Sequence, residues 1–138
     1  MSTLLDASHC FVCGSRNPIG LRLAFTVRDG RVTAEFTPSD LHVGFTGIVH
    51  GGILAAVLDD AMAAVGFYQG EPTVTARLSV RYRRPARPGE RLHVEAEETG
   101  RRGSISIGRA TLRRADGVVV ADADAVLASA PAAAPTGT

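Results

Sequence analysis

A pair of glycines followed eight residues later by an aspartate, inside an otherwise apolar run, has the clearest chemical use of any segment here: Gly51, Gly52 and Asp59 in GGILAAVLDDAMAAVGFY. Glycines at a helix start expose backbone N–H groups without side-chain obstruction, and the first four such groups of a helix have no intrahelical acceptor. With the helix dipole behind them, they can hold a developing oxyanion. Asp59 sits among apolar neighbours, so its carboxylate is expected to be poorly solvated and hence basic, which suits a nucleophile or general base. Asp60 points about 100° away around the helix, so the two carboxylates are not a pair on one face. His50 is either an orienting group at such a site or a helix-start residue whose ring bonds backbone. The two glycines could equally serve close packing against a strand. At about 1.5 Å rise per residue, Asp59 lies roughly 12 Å along the axis from Gly51. One reacting group cannot touch both within a chain, so either they are unrelated or two subunits share a site.

Two further clusters carry chemical potential. Arg81, Arg83, Arg84, Arg101 and Arg102 bear guanidinium forks that match phosphate, although a solvated strand face also explains them. Arg101 and Arg102, at a glycine-flanked turn, and Arg84 are the candidates for a phosphate-bearing substrate. Cys10-Phe11-Val12-Cys13 beside His9 offers three zinc-type donors. A structural zinc site normally takes four and no second CxxC exists, so inert buried thiols are expected, with no metal and no cofactor.

These residues need elements to hold them. Gly51 to about Tyr68 has strong helix formers and only Asp59 and Asp60 as charges, which predicts one buried central helix. Leu21, Leu23 and Phe25 alternate with Arg22, Ala24 and Thr26 and predict a strand. Asp29-Gly30 then turns the chain into a second strand, Arg31 to Phe36. After Gly70 and Pro72, extended segments are predicted at about Thr73 to Arg84, Arg91 to Thr99, Ser104 to Arg113 and Val118 to Leu127. Their short connections make successive strands antiparallel, in a meander. Within the first of the four, Val74, Ala76, Leu78, Val80 and Tyr82 form an apolar face expected to pack on the core. A sheet of this kind needs its edges covered, and dimerisation through an edge would do so.

The chain of 138 residues suits one domain with one core. A net charge of +1 and few aromatics argue against a chain-wide grip on nucleic acid, while a local basic cluster can still hold a small anion. MSTLLDASHC lacks the features of a secretory signal, and no uninterrupted apolar stretch approaches the roughly 20 residues that span a bilayer. The expected compartment is the cytoplasm, with neither nucleic acid nor membrane as partner. With two cysteines, a disulfide framework is excluded.

Gly47-Ile48-Val49-His50-Gly51-Gly52, with the apolar helix bearing Asp59, resembles the acyl-CoA thioesterases of the hotdog superfamily, in particular the phenylacetate-pathway-like branch. Leu78-Ser79-Val80-Arg81-Tyr82-Arg83-Arg84-Pro85 is similar to that family's continuation. Cys10-Phe11-Val12-Cys13-Gly14 with Asn17-Pro18 and Gly20-Leu21 resembles a leader carried by many members. The resemblance implies an α+β hotdog fold, one long central helix wrapped by an antiparallel sheet of about five to six strands. The domain would run over 20–128, after an irregular leader, 1–19, and before a disordered tail, 129–138.

The resemblance further implies hydrolysis of an acyl-CoA, or a related acyl thioester, to acid and thiol, at a site shared between subunits of a homodimer or homotetramer. On that pattern Asp59 activates water or attacks the carbonyl, Gly51 N–H holds the oxyanion, Thr75 positions the water or the carboxylate, His50 orients, and Gly52 contacts the substrate. One departure lies six residues before His50, where some relatives carry an amide side chain and this chain has Gly44; His42 could supply the missing contact. Two rival readings share the fold. One is a noncatalytic acyl-CoA-binding module. The other is an enoyl-CoA hydratase or dehydratase, which would want a histidine close to the aspartate, whereas His93 is the only one after Asp59.

Overall fold

The computed structural model describes residues 5–131. In chain order the elements are β1 (Thr26–Arg28), β2 (Arg31–Phe36), a 3-10 turn (Asp40–His42), α1 (Gly51–Tyr68), β3 (Thr73–Tyr82), β4 (Leu92–Arg102), β5 (Ile105–Arg114) and β6 (Val119–Ser129). All strands join one antiparallel sheet in the order β1-β2-β4-β5-β6-β3. Helix α1 has the limits its composition predicts. The tail expected from Ser129 onward falls largely outside the described residues, and Ser129 itself closes β6.

Helix and sheet meet along matched apolar rows. Cross-strand pairing puts Ala34, Val94, Leu112 and Ala121 in one row and Val32, Ala96, Ala110 and Ala123 in the next. All eight are buried, as are Leu54, Val57, Leu58, Ala61, Met62 and Val65 of α1. Burying a large aliphatic side chain stabilises the fold by about 1.5–3 kcal/mol, so this interface is the core. The helix packs tightly on Gly108, where an added Cβ would stand 3.1 Å from Met62 Cβ; the missing side chain is what allows that approach. The opposite face of α1, with Ala55, Ala56, Asp59, Asp60 and Ala63, is half-exposed.

Three expectations are corrected. The stretch through Leu21, Leu23 and Phe25 is not a sheet strand: Leu21 N–H and Leu23 N–H donate to the carbonyls of Phe11 and Val12, each at 2.8 Å, so the leader takes the backbone groups that a strand would need. The meander fails at β3, which pairs with β6 at the end of the sheet while β4 inserts beside β2. Finally, β3 does not bury its alternate apolar face. Val74, Leu78 and Tyr82 are 49%, 37% and 54% exposed, because β3 is an edge strand and because its alternation is interrupted. The register slips between Thr75 and Arg77, leaving Ala76 as a β-bulge that switches the faces of the residues before it.

Candidate functional site

His50 builds the start of α1. It is the N-cap, with extended backbone at φ −60° and ψ 130°, and its Nδ1 accepts Gly52 N–H at 2.8 Å. Its carbonyl accepts from Ile53 N–H and Leu54 N–H. Of the four first-turn donors, only Gly51 N–H has no acceptor among the described residues. The Gly51 carbonyl is held by the Tyr82 hydroxyl at 2.8 Å. Gly52 is glycine for His50's sake, since a Cβ there would come within 3.0 Å of the imidazole ring. Local sequence thus produces a helix end with a single unclaimed donor, the feature that suits anion or oxyanion binding.

That donor borders a cleft of about 520 Å³ lined by Phe45, Ile48, Leu54, Tyr82, Arg84 and Pro85 among others. The loop that forms its wall is pinned at both ends: Val49 N–H donates to Ala86 O and His50 N–H to His42 O, each at 2.8 Å. Tyr82 is the cleft residue that sequence reasoning missed. Its position in the apolar alternation of β3, one strand away from a helix start, was the available signal.

Asp59 lies further down α1, half-buried, and its Oδ1 accepts the Thr75 hydroxyl at 2.5 Å. The bulge at Ala76 makes this contact possible. Thr75 pairs with Leu127, whose side chain is buried against the core, and Tyr82 pairs with Ala121 on the same face. Uninterrupted alternation would put Thr75 on the opposite face from Tyr82. A second desolvated carboxylate lies next to Asp59, at Asp60. Burial pushes the Asp60 carboxyl above the ordinary carboxylate range, the thiols of Cys13 and Cys10 partly offset that, and the Asp59 charge adds to it.

The remaining candidates separate. Arg84 lines the cleft, and its guanidinium donates to Arg83 O at 3.1 Å. Arg101 is bound by Glu71 at 2.6 Å and Glu98 at 2.9 Å. It lies with Arg102 toward the end of β4, where Arg101 shares a wall with Val65 and Gly66 of the last helical turns, so neither is gathered with Gly51. Arg81 and Arg83 point to the outer sheet face, onto Asp122 at 2.8 and 2.5 Å. His42, the alternative to the side chain missing at Gly44, accepts Ser39 N–H on its Nδ1 at 2.9 Å and packs its ring on Phe36 with centroids 5.5 Å apart.

Residues 46–121, which hold the helix start, Asp59, Thr75, the whole of β3, β4 and β5 and the start of β6, match the thioesterase superfamily. The chain belongs to that superfamily. A solved thioesterase superfamily protein superposes with a TM-score of 0.82 at 28% identity, over 88% of this chain and 61% of its own. This hotdog chain therefore spans less than two thirds of that relative's length. It is also similar to Escherichia coli PaaI, from the phenylacetic acid degradation operon (TM-score 0.74, 19% identity, 78% and 83% covered). A Streptococcus mutans protein bound to acetyl-CoA matches with a TM-score of 0.74 at 18% identity, covering 81% and 91%. No match was found among curated proteins.

Proposed function

We propose that this chain hydrolyses an acyl-CoA, or a related acyl thioester, to the free acid and thiol, at sites each shared by two copies. The observation that carries the reading is the unclaimed Gly51 N–H at an apolar cleft, with the Asp59–Thr75 pair on the same helix. The two lie too far apart, at roughly 12 Å along the axis, to serve one thioester in one chain. Superfamily membership supports the chemistry, and the acetyl-CoA on the Streptococcus mutans relative supports the ligand class. An edge strand with exposed Val74, Leu78 and Tyr82 supports a second copy as its cover.

In this reading the thioester oxygen accepts from Gly51 N–H, and the positive end of α1 stabilises charge as the carbonyl becomes tetrahedral. Asp59 of the second copy either takes a proton from the attacking water or attacks the carbonyl itself. Thr75 occupies one carboxylate oxygen, which leaves the other aimed at the substrate. Collapse of the tetrahedral centre breaks the C–S bond and releases the thiolate, which takes up a proton. Where Asp59 has attacked the carbonyl, water then cleaves the acyl–aspartyl anhydride to the free acid and restores the carboxylate. Phe45, Ile48 and Leu54 provide apolar cover for the acyl group, and Arg84 at the rim faces the coenzyme phosphates.

Asp59→Asn, which conserves shape, tests the assignment in a free-thiol assay over a panel of acyl-CoAs. The expected result is a loss of at least ~100-fold with an unchanged circular dichroism spectrum. Wild-type turnover in the variant would overturn it. Wild-type protein that binds acyl-CoA without releasing thiol would point to a binding module, and water addition to an enoyl-CoA to a hydratase.

A further inference from the structure

The leader is fastened to α1 at the residue next to Asp59. Cys10 Sγ donates to Asp60 Oδ1 at 3.3 Å, and Cys13 N–H donates to Cys10 Sγ at 3.4 Å. Gly14 N–H closes the turn onto Cys10 O at 2.9 Å. A Cβ at Gly14 would stand 2.4 Å from Cys10 N and 2.6 Å from Cys10 O, so the turn that carries both thiols is compact and has no slack. One donor atom from each of Cys10, Cys13 and Asp60 lies within 4.8 Å of the others. His9, the neighbour that the sequence offers as third ligand, is not among them; its Nδ1 lies 3.3 Å from Ser8 Oγ.

The cluster also contains polar atoms that the protein itself does not satisfy. Asp60 Oδ2 is buried without a hydrogen-bond partner among the described residues, and so is Thr73 Oγ1. Both residues line the same cavity of about 170 Å³, together with Cys10, Cys13 and Tyr68. A buried unpaired carboxylate oxygen costs several kcal/mol in general unless a cation or donor reaches it. Two sulfurs and one carboxylate within ligand reach, an N–H···S bond that pre-forms the cysteine turn, and an orphan carboxylate oxygen together fit a metal ion.

We propose that Cys10, Cys13 and Asp60 form a binding site for a divalent ion of borderline softness, with Zn2+ the best match, and with water as fourth ligand toward Thr73. Thiolates select zinc over the hard cations, and a tetrahedral ion accepts S and O donors together. Binding releases the two thiol protons to buffer, adds no redox step, and joins the leader to the helix at the position after Asp59. The site is independent of the thioesterase reading, since none of its three ligands takes part in that chemistry.

The test uses the full chain, reduced and stripped with a chelator, and Co2+ as the probe. Co2+ is expected to give a thiolate charge-transfer band that saturates at one ion per chain and is abolished by Zn2+. The melting temperature should rise with Zn2+ concentration, as mass action requires for a ligand of the native state. Cys10→Ser and Cys13→Ser should lose the band. Asp60→Asn should weaken binding at least ~10-fold, since even outer partners of metal ligands are worth that much. If the cysteine variants do not fold, the wild-type titration decides alone. Folded wild-type protein with no charge-transfer band, or an Asp60→Asn variant that binds Co2+ as tightly as wild type, would overturn the site.

Discussion

Thr75 reaches Asp59 because one residue of β3, Ala76, is left out of the ladder with β6. The bulge turns the Thr75 hydroxyl toward α1 while Arg77, Ser79 and Arg81, after it, keep the outer face opposite Val126, Asp124 and Asp122. A hydrogen bond to a charged group contributes about 1.5–3 kcal/mol. If it holds Asp59 in its working orientation, Thr75→Val should lower kcat/KM by roughly ten- to a hundredfold, while Thr75→Ser, which keeps the hydroxyl, should stay within a few-fold of wild type. Steady-state thiol release by the two variants checks this. A loss in Thr75→Ser with Thr75→Val at the wild-type level would show that the methyl group, not the hydroxyl, matters.

His50 can be split into a capping part and a chemical part. Its Nδ1 accepts Gly52 N–H, so His50→Ala should cost about 0.5–2 kcal/mol of stability, the usual worth of an N-cap acceptor. His50→Asn supplies another good cap and should recover most of that in urea melts. If its turnover recovers as well, the imidazole acts only by setting the helix start. If stability returns and turnover does not, the ring has a chemical part of its own. Gly52→Ala should resemble His50→Ala in its melts, because the added methyl would meet the ring at 3.0 Å.

Asp60 makes stability depend on pH in a direction opposite to that of a paired carboxylate. Burial raises its folded-state pKa above the unfolded value. Between those two values the folded state binds the proton that the unfolded state has lost, so stability falls as pH rises from the ordinary aspartate range through the raised pKa. Below the unfolded pKa the contribution is fully present, and above the raised pKa it is gone. In metal-free protein, Asp60→Asn should therefore unfold at a higher urea concentration than wild type at neutral pH, with the advantage shrinking as the pH falls through the raised pKa toward the ordinary aspartate range and levelling off below it. A difference that grows toward acid pH would mean that Asp60 is stabilised by its thiol neighbours more than it is penalised by burial.

The helix could be read from the sequence to the residue, because its signals are local: an N-cap histidine, two glycines, then helix formers up to Tyr68. The four later strands were similarly bounded by Pro85, Gly89, Gly103 and Gly117. Pairing was not local. Nothing near Thr73 says that β3 will lie beside β6, 40-odd residues on, and a period-2 pattern cannot reveal a bulge that reverses it. The same limit hides the surroundings of Asp60. It sits in the apolar run of Asp59, and its desolvation depends on a leader that folds back to α1 through Cys10, a contact 50 residues apart in sequence.

Gly51 permits a test of site sharing that does not damage the helix. It is the first helical residue, where proline is well tolerated, and His50 before it already has the extended backbone that a following proline requires. Gly51→Pro removes the one free N–H, and the new ring must settle against Tyr82, whose ring carbons lie 3.4–3.5 Å from an added Cβ. Losing an oxyanion donor of this kind costs about 10²- to 10³-fold in rate, so the variant should be folded and nearly inactive, as should Asp59→Asn. If each site takes Gly51 from one subunit and Asp59 from the other, a dimer of the two variants contains one fully normal site and one doubly defective one. Co-refolding the two inactive proteins in equal amounts should then restore about one quarter of wild-type activity, because half the dimers are mixed and each has one of two sites intact. If both residues served a site within one chain, every site would carry a defect and mixing would restore nothing. Activity that persists in dilute protein shown by light scattering to be monomeric would likewise rule out the shared site.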